Sequence, residues 1–142
     1  MRYWLFKSEP STWSWDDQVA KGETGEEWDG VRNYQARNFM REMSVGDRGL
    51  FYHSQSEKAV VGTVEVIAEA HPDSTTHDDR WDCVDIKARV AVRTPVTLEQ
   101  IKTDERLSDM VLVKNSRLSV QPVTEAEWSL ICAMAGIPEE AP

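Results

Sequence analysis

The sequence predicts an α+β fold, with about five strands curled into a small barrel or half-open sheet and four short helices interleaved among them. Three observations carry that expectation. Val84, Ile86, Ala88, Val90 and Val92 alternate with Asp85, Lys87, Arg89, Ala91 and Arg93, the period of a strand with one wet face. Ala36, Phe39, Met40 and Met43 recur at i, i+3, i+4, i+7, as do Trp128, Ile131, Cys132 and Ala135, and that spacing makes an apolar helix face. Finally, 142 residues suffice for one domain to bury most of its apolar side chains and are too few for two ordinary ones.

In chain order, Tyr3 to Ser8 is aromatic-rich and reads as a first, mostly buried strand that Pro10 ends. Ser11 or Ser14 can cap a short helix over residues 15–20, whose first turn carries acids and which Gly22 stops. The acidic, Gly-containing stretch from Lys21 to Glu27 reads as a surface loop. Asn33 can cap the helix that carries Ala36, Phe39, Met40 and Met43. Val45-Gly46-Asp47 is a turn, and Arg48 to Ser54 a strand. Gln55 to Lys58 connects it to a hairpin partner over Ala59 to Ala68, in which Val60, Gly62, Val64 and Val66 share one face. Gly62 inside that strand marks a bulge or a close approach of backbone. His71 to Asp82 is a polar loop, and Pro95 ends the alternating strand after it. Residues 97–102 form a short capped helix, while Leu107 to Val113 fits a strand or a helical turn. Arg117 to Val120 reads as a closing strand. Thr124 with Glu127 is a capping box for the last helix, which Gly136 and Pro138 end. The domain is therefore expected over residues 1–137, with 138–142 as a C-terminal tail.

The formal net charge of −9 argues against a protein that grips long nucleic acid by neutralising phosphates. The charge is uneven, however: residues 28–62 sum to +1, which leaves −10 elsewhere, so the central region can still meet a polyanion. Six tryptophans exceed what a core of this size needs, and some are free to contact a ligand. Cys83 and Cys132 have no short spacing and read as free buried thiols. No run approaches the length of a membrane span, and the chain reads as a cytoplasmic monomer.

The stretch Trp28-Asp29-Gly30-Val31-Arg32-Asn33-Tyr34-Gln35-Ala36-Arg37-Asn38 puts an indole, a turn and a guanidinium just ahead of a helix N-terminus, an arrangement able to grip a flat polar ligand. Trp28 as a plain core aromatic is an equal reading. His71, Asp73, His77, Asp78 and Asp79 carry metal-ligand types, but a polar loop collects these by chance. With no Gly-rich phosphate loop and no Cys pair at zinc spacing, neither metal nor cofactor is expected. Lys7, Ser8 and Glu9 could serve a nucleophile with His53, yet strand alternation lets at most Lys7 and Glu9 share a face. His53-Ser54 at a strand end can donate and accept at a base edge, and a satisfied structural histidine fits equally.

Tyr3-Trp4-Leu5-Phe6-Lys7-Ser8-Glu9-Pro10, the Trp28 to Asn38 stretch, Gly46-Asp47 followed by Phe51-Tyr52-His53-Ser54, Val61-Gly62, and Arg117-Leu118-Ser119-Val120 together resemble the EVE domain. The blocks stand in family order from residue 3 to about residue 135. The resemblance implies a PUA-like curled sheet or small barrel of about five to six strands ringed by short helices. It also implies a non-catalytic reader of a modified base, such as a modified cytosine or adenine, in DNA or RNA. By position, Lys7 and Ser8 would form the pocket floor, Trp28 a wall, and Val31, Arg32 and Asn33 the rim. His53 and Ser54 would contact the base edge, Arg117, Leu118 and Ser119 would close the site, and Arg37 and Arg41 would meet phosphates. Trp81 resembles the cage tryptophan of the related YTH domains and is the expected second wall. Two alternatives come from other classes: a PUA-like amidohydrolase of the ASCH type using Lys7, Ser8 and Glu9, and a partner-binding domain of a larger complex.

Overall fold

The computed structural model describes every residue except Ser56, which falls in the predicted Gln55 to Lys58 connection. Its sheet is six-stranded and open, built from β1 (Tyr3–Ser8), β2 (Glu26–Glu27), β3 (Arg48–His53), β4 (Ala59–Pro72), β5 (Asp82–Thr97) and β6 (Val120–Val123) in the order β2-β5-β4-β3-β1-β6. β1 and β3 are parallel and the other pairs antiparallel. Around it lie α1 (Trp15–Ala20), α2 (Tyr34–Glu42), α3 (Leu98–Thr103), α4 (Val111–Lys114) and α5 (Glu125–Met134). The fold is α+β, as the periodicities predict.

Helix starts follow local chemistry. Asn33 accepts from the Ala36 amide, and Ser14, Thr97 and Thr124 each close a reciprocal capping box. The sheet buries both faces. Tyr3, Leu5, Leu50 and Tyr52 pack with Ile101, Leu112, Trp128 and Ile131 on one side. Trp4, Phe6 and Phe51 pack with Trp15, Trp28, Ala36 and Met40 on the other.

Two bulges correct the alternation read from sequence. In β5, Val84 and Ile86 belong to the second core, whereas Val90 and Val92 pack against the first. The pairing slips there, with Val64 opposite Ala88 but Thr63 opposite Val90, and the extra residue Arg89 turns the strand's apolar row through the sheet. A second slip, with Gly62 opposite Phe51 but Val60 opposite Tyr52, leaves Val61 extra in β4 and puts Val60 in the first core and Val64 and Val66 in the second. At Gly62 a Cβ would lie 2.4 Å from the Trp15 ring, so the close approach expected at this glycine is an indole against backbone.

Other boundaries move. Glu26–Glu27, expected in a loop, pairs with Asp85 and Ile86, and β4 continues through His71 and Pro72. Pro95 does not end β5, because β2 reaches only its other end and leaves this edge without a strand partner. The closing strand begins at Val120 rather than Arg117 and accommodates Pro122 because it lies at the sheet edge. Pro138–Glu140, expected as a tail, is a packed 3₁₀ turn. The Glu140 carboxylate accepts from the Thr63 hydroxyl at 2.9 Å and pairs with Arg89, while Trp128 Nε1 donates to the Glu140 carbonyl at 3.0 Å.

Candidate nucleic-acid interface

Where β1 ends, beside β2 and the loop into α2, the chain encloses a cleft of about 500 Å³. That volume lies within the range of small-ligand sites. Its floor is the end of β1. The Lys7 amide donates to the Ser119 carbonyl at 2.9 Å and its ammonium to the Ser116 carbonyl, and burial lowers the lysine pKa. The Ser8 hydroxyl donates to the Trp13 carbonyl and so fixes the turn that brings Trp13 to the cleft. Two of the three groups expected of a hydrolytic site, Lys7 and Ser8, are thus engaged by backbone.

Trp28 is a core aromatic that also borders the cleft. It is 8% exposed and meets Phe6 and Phe51 edge-on at 5.4 and 5.7 Å between ring centroids, while its remaining surface lines the cleft. Past it the chain turns at Gly30, whose φ of +77° favours glycine. Gly30 donates its amide to Asp73 Oδ2 at 2.8 Å, and Arg32 Nη1 reaches the same oxygen at 3.1 Å. Burial works against the Asp73 carboxylate, but hydrogen bonds from Thr75, Gly30 and Arg32 outweigh it and hold its pKa down at about 2.

Of the expected site residues, Lys7, Ser8, Trp28, Val31, Arg32 and Ser119 line this cleft. The others do not, each for a local reason. Asn33 spends its side chain on the α2 cap. His53 Nε2 accepts from the Trp15 amide at 3.0 Å and its Nδ1 meets Glu57 at 2.9 Å, the satisfied structural histidine. Ser54 donates its amide to the Ser8 carbonyl behind the floor. Leu118 is buried in the second core, and Arg117 is exposed away from the cleft. Trp81, the expected second wall, instead stacks on Tyr34 with centroids 4.9 Å apart. Arg37 and Arg41 lie outside, Arg41 paired with Asp82 at 2.7 Å.

Sequence reasoning missed Trp13, Thr12 and the carboxylates of Glu26, Glu27 and Asp29. The excess of tryptophan was the available signal for Trp13. Glu9, Glu26, Glu27 and Asp29 line the cleft against only two cations, Lys7 and Arg32. Burial raises the Asp29 pKa, and the neighbouring carboxylates of Asp73, Glu26 and Glu27 raise it further. Such a lining disfavours a phosphate and favours a ligand with hydrogen-bond donors on its edge, as the exocyclic amino groups of cytosine and adenine provide.

The loop carboxylates and histidines expected as chance company do not converge: Asp73 serves Gly30 and Arg32, and Asp78 serves Arg80. Among the described residues, Glu27, His71 and Cys83 have donor atoms within 4.8 Å of one another. Each already has a partner, since the Cys83 thiol donates to Glu27 at 3.3 Å and His71 Nε2 meets Asp85 at 2.7 Å.

The chain is an open α+β sheet with a cleft at the end of its first strand, lined in part by Trp13 and Trp28. The EVE domain matches residues 2–134, and the chain belongs to the EVE domain family. It is 34% identical to mouse thymocyte nuclear protein 1 over 93% of this chain and 73% of that protein. Among solved structures, protein Atu2648 from Agrobacterium tumefaciens is 56% identical, with a TM-score of 0.97 over 99% of this chain and 97% of that one. The human THYN1 protein, solved in complex with 5-methylcytosine-containing DNA, is 31% identical with a TM-score of 0.89, over 95% of this chain and 98% of that one. An ASCH protein from Zymomonas mobilis, 14% identical with a TM-score of 0.58, shares the fold over 94% of this chain and 99% of that one.

Proposed function

We propose that the chain is a non-catalytic reader that takes one modified base of a DNA strand, a modified cytosine above all, into the cleft between Trp13 and Trp28. The observation that carries this reading is the combination of indole walls with an acceptor-rich rim. Base–aromatic stacking is worth roughly 1–3 kcal/mol per base, so an enclosed base needs few phosphate contacts and an acidic chain can bind it. The carboxylates at the rim suit the cytosine amino group, and a methyl or hydroxymethyl substituent gains contact with the indoles. The base must be unpaired or flipped to enter. The human THYN1 complex with 5-methylcytosine-containing DNA supports the choice of polymer and base. Outside the cleft, Arg37 is the one of the two expected phosphate ligands without a carboxylate partner among the described residues, since Arg41 is paired with Asp82.

The test is a binding panel of single-stranded DNA and RNA carrying 5-methylcytosine, 5-hydroxymethylcytosine or N6-methyladenine beside unmodified controls. Tighter binding of a modified cytosine in DNA supports the reading. Equal affinity for every strand overturns it, as does release of cytidine from acylated cytidine, which would make the cleft an amidohydrolase site.

A further inference from the structure

Outside the cleft, the first residue of α2 carries a ring that the core does not use. Tyr34 is 50% exposed and stacks on Trp81 at an interplanar angle of 23°. Three guanidinium groups surround the pair. Arg37 lies 4.8 Å from the Tyr34 centroid, and Arg32 and Arg80 lie 5.5 and 5.9 Å from that of Trp81. Arg80 Nη1 also donates to the Tyr34 hydroxyl at 3.2 Å, and Arg37 Nη1 to the Arg80 carbonyl at 3.0 Å. Arg32 and Arg80 have carboxylate partners, Asp73 and Asp78, whereas Arg37 bonds only to Asn38 and the Arg80 carbonyl among the described residues.

We infer that the Tyr34–Trp81 stack is a second nucleotide subsite, which takes the base next to the one in the cleft while Arg37 meets its phosphate. The inference rests on the base-binding reading above. Arg32 joins the two places, since it lines the cleft and also lies against Trp81. A half-exposed Tyr34 ring backed by the partly buried Trp81, with the uncompensated Arg37 over it, is suited to a strand rather than to a free base: a base that displaces the guanidinium stacks on the ring, and the guanidinium turns to its phosphate. Because the other arginines are already paired, the subsite is led by stacking, and its contribution depends weakly on salt.

The experiment compares the parent with Tyr34→Ala, Tyr34→Phe and Arg37→Ala against three ligands: 5-methyl-2′-deoxycytidine, a single strand carrying 5-methylcytosine, and the unmodified strand. Tyr34→Ala is expected to weaken both strands by about 5- to 150-fold and to leave the nucleoside within about twofold, because the nucleoside reaches only the cleft. Tyr34→Phe, which keeps the ring, should bind as the parent does. Arg37→Ala should flatten the slope of log affinity against log salt by about 1. Equal losses for nucleoside and strands overturn the inference by making the stack part of the cleft, and unchanged strand affinity overturns it outright. If the parent shows no preference for the modified base but Tyr34→Ala still weakens the unmodified strand, the cleft reading fails and the subsite stands.

Discussion

The amide of Gly30 donates to the buried carboxylate of Asp73 across 2.8 Å, joining residues 43 positions apart. Through this bond, and the one from Arg32 to the same oxygen, the loop after β4 sets the height of the cleft's rim. Asp73→Asn removes the charge and can turn an amide N–H toward the Gly30 donor, leaving that amide without an acceptor. A loss of about 2 kcal/mol, or roughly 4–8 °C in Tm, is expected, together with weaker binding of the modified strand. An unchanged melting temperature would show that the rim stands without Asp73.

Asp73 also gives acid stability a definite sign. Its pKa falls from 3.8 to about 2 on folding, so its contribution is fully present above 3.8 and is lost as pH drops through about 2. Urea titrations between those limits should show the parent losing about 2 kcal/mol more than Asp73→Asn. Parallel losses in the two proteins would remove Asp73 from the account.

Trp13 and Trp28 line one cleft but differ in burial, so their truncations should separate. Trp28 is packed against Phe6 and Phe51, and Trp28→Ala should cost roughly 3–5 kcal/mol of stability along with binding. Trp13 is half-buried, held by its Nε1 bond to Gln18 at 2.9 Å. Trp13→Ala should keep most of the melting temperature and lose about 5- to 150-fold in affinity for the modified strand. Calorimetry paired with binding decides, and a Trp13→Ala protein that binds as the parent does would remove that wall.

At Gly62 a methyl group would meet the Trp15 ring at 2.4 Å, and the indole is held in turn against Phe51 at 5.3 Å. Gly62→Ala should therefore destabilise by roughly 1–3 kcal/mol through overpacking. Chemical denaturation measures this directly. A neutral substitution would mean that α1 can shift on the sheet.

What the sequence made legible follows from the range of the physics involved. Asn33, Thr97 and Thr124 announce their helices because a cap is chemistry within three residues of itself. The glycines at 30 and 62 were equally readable, one as a turn and one as a close approach. The bulge at Arg89 was not, since strict alternation in one strand says nothing about a slip that exists only against its partner. The same limit misplaced Trp81: its position depends on Tyr34, 47 residues earlier, and the strand that follows it cannot reveal that stack. Trp13 escaped because its orientation is set by Ser8 and Gln18 rather than by any periodicity.

The central claim is that a modified base lies between Trp13 and Trp28, and an NMR titration tests it most directly. Isotope-labelled protein is titrated with a short single strand carrying one 5-methylcytosine, and backbone amides and indole N–H signals are followed. The predicted result is a saturable shift of the Trp13 and Trp28 indoles and the Gly30 and Arg32 amides, larger than with the unmodified strand. Shifts confined to other surfaces, or identical for both strands, would contradict it.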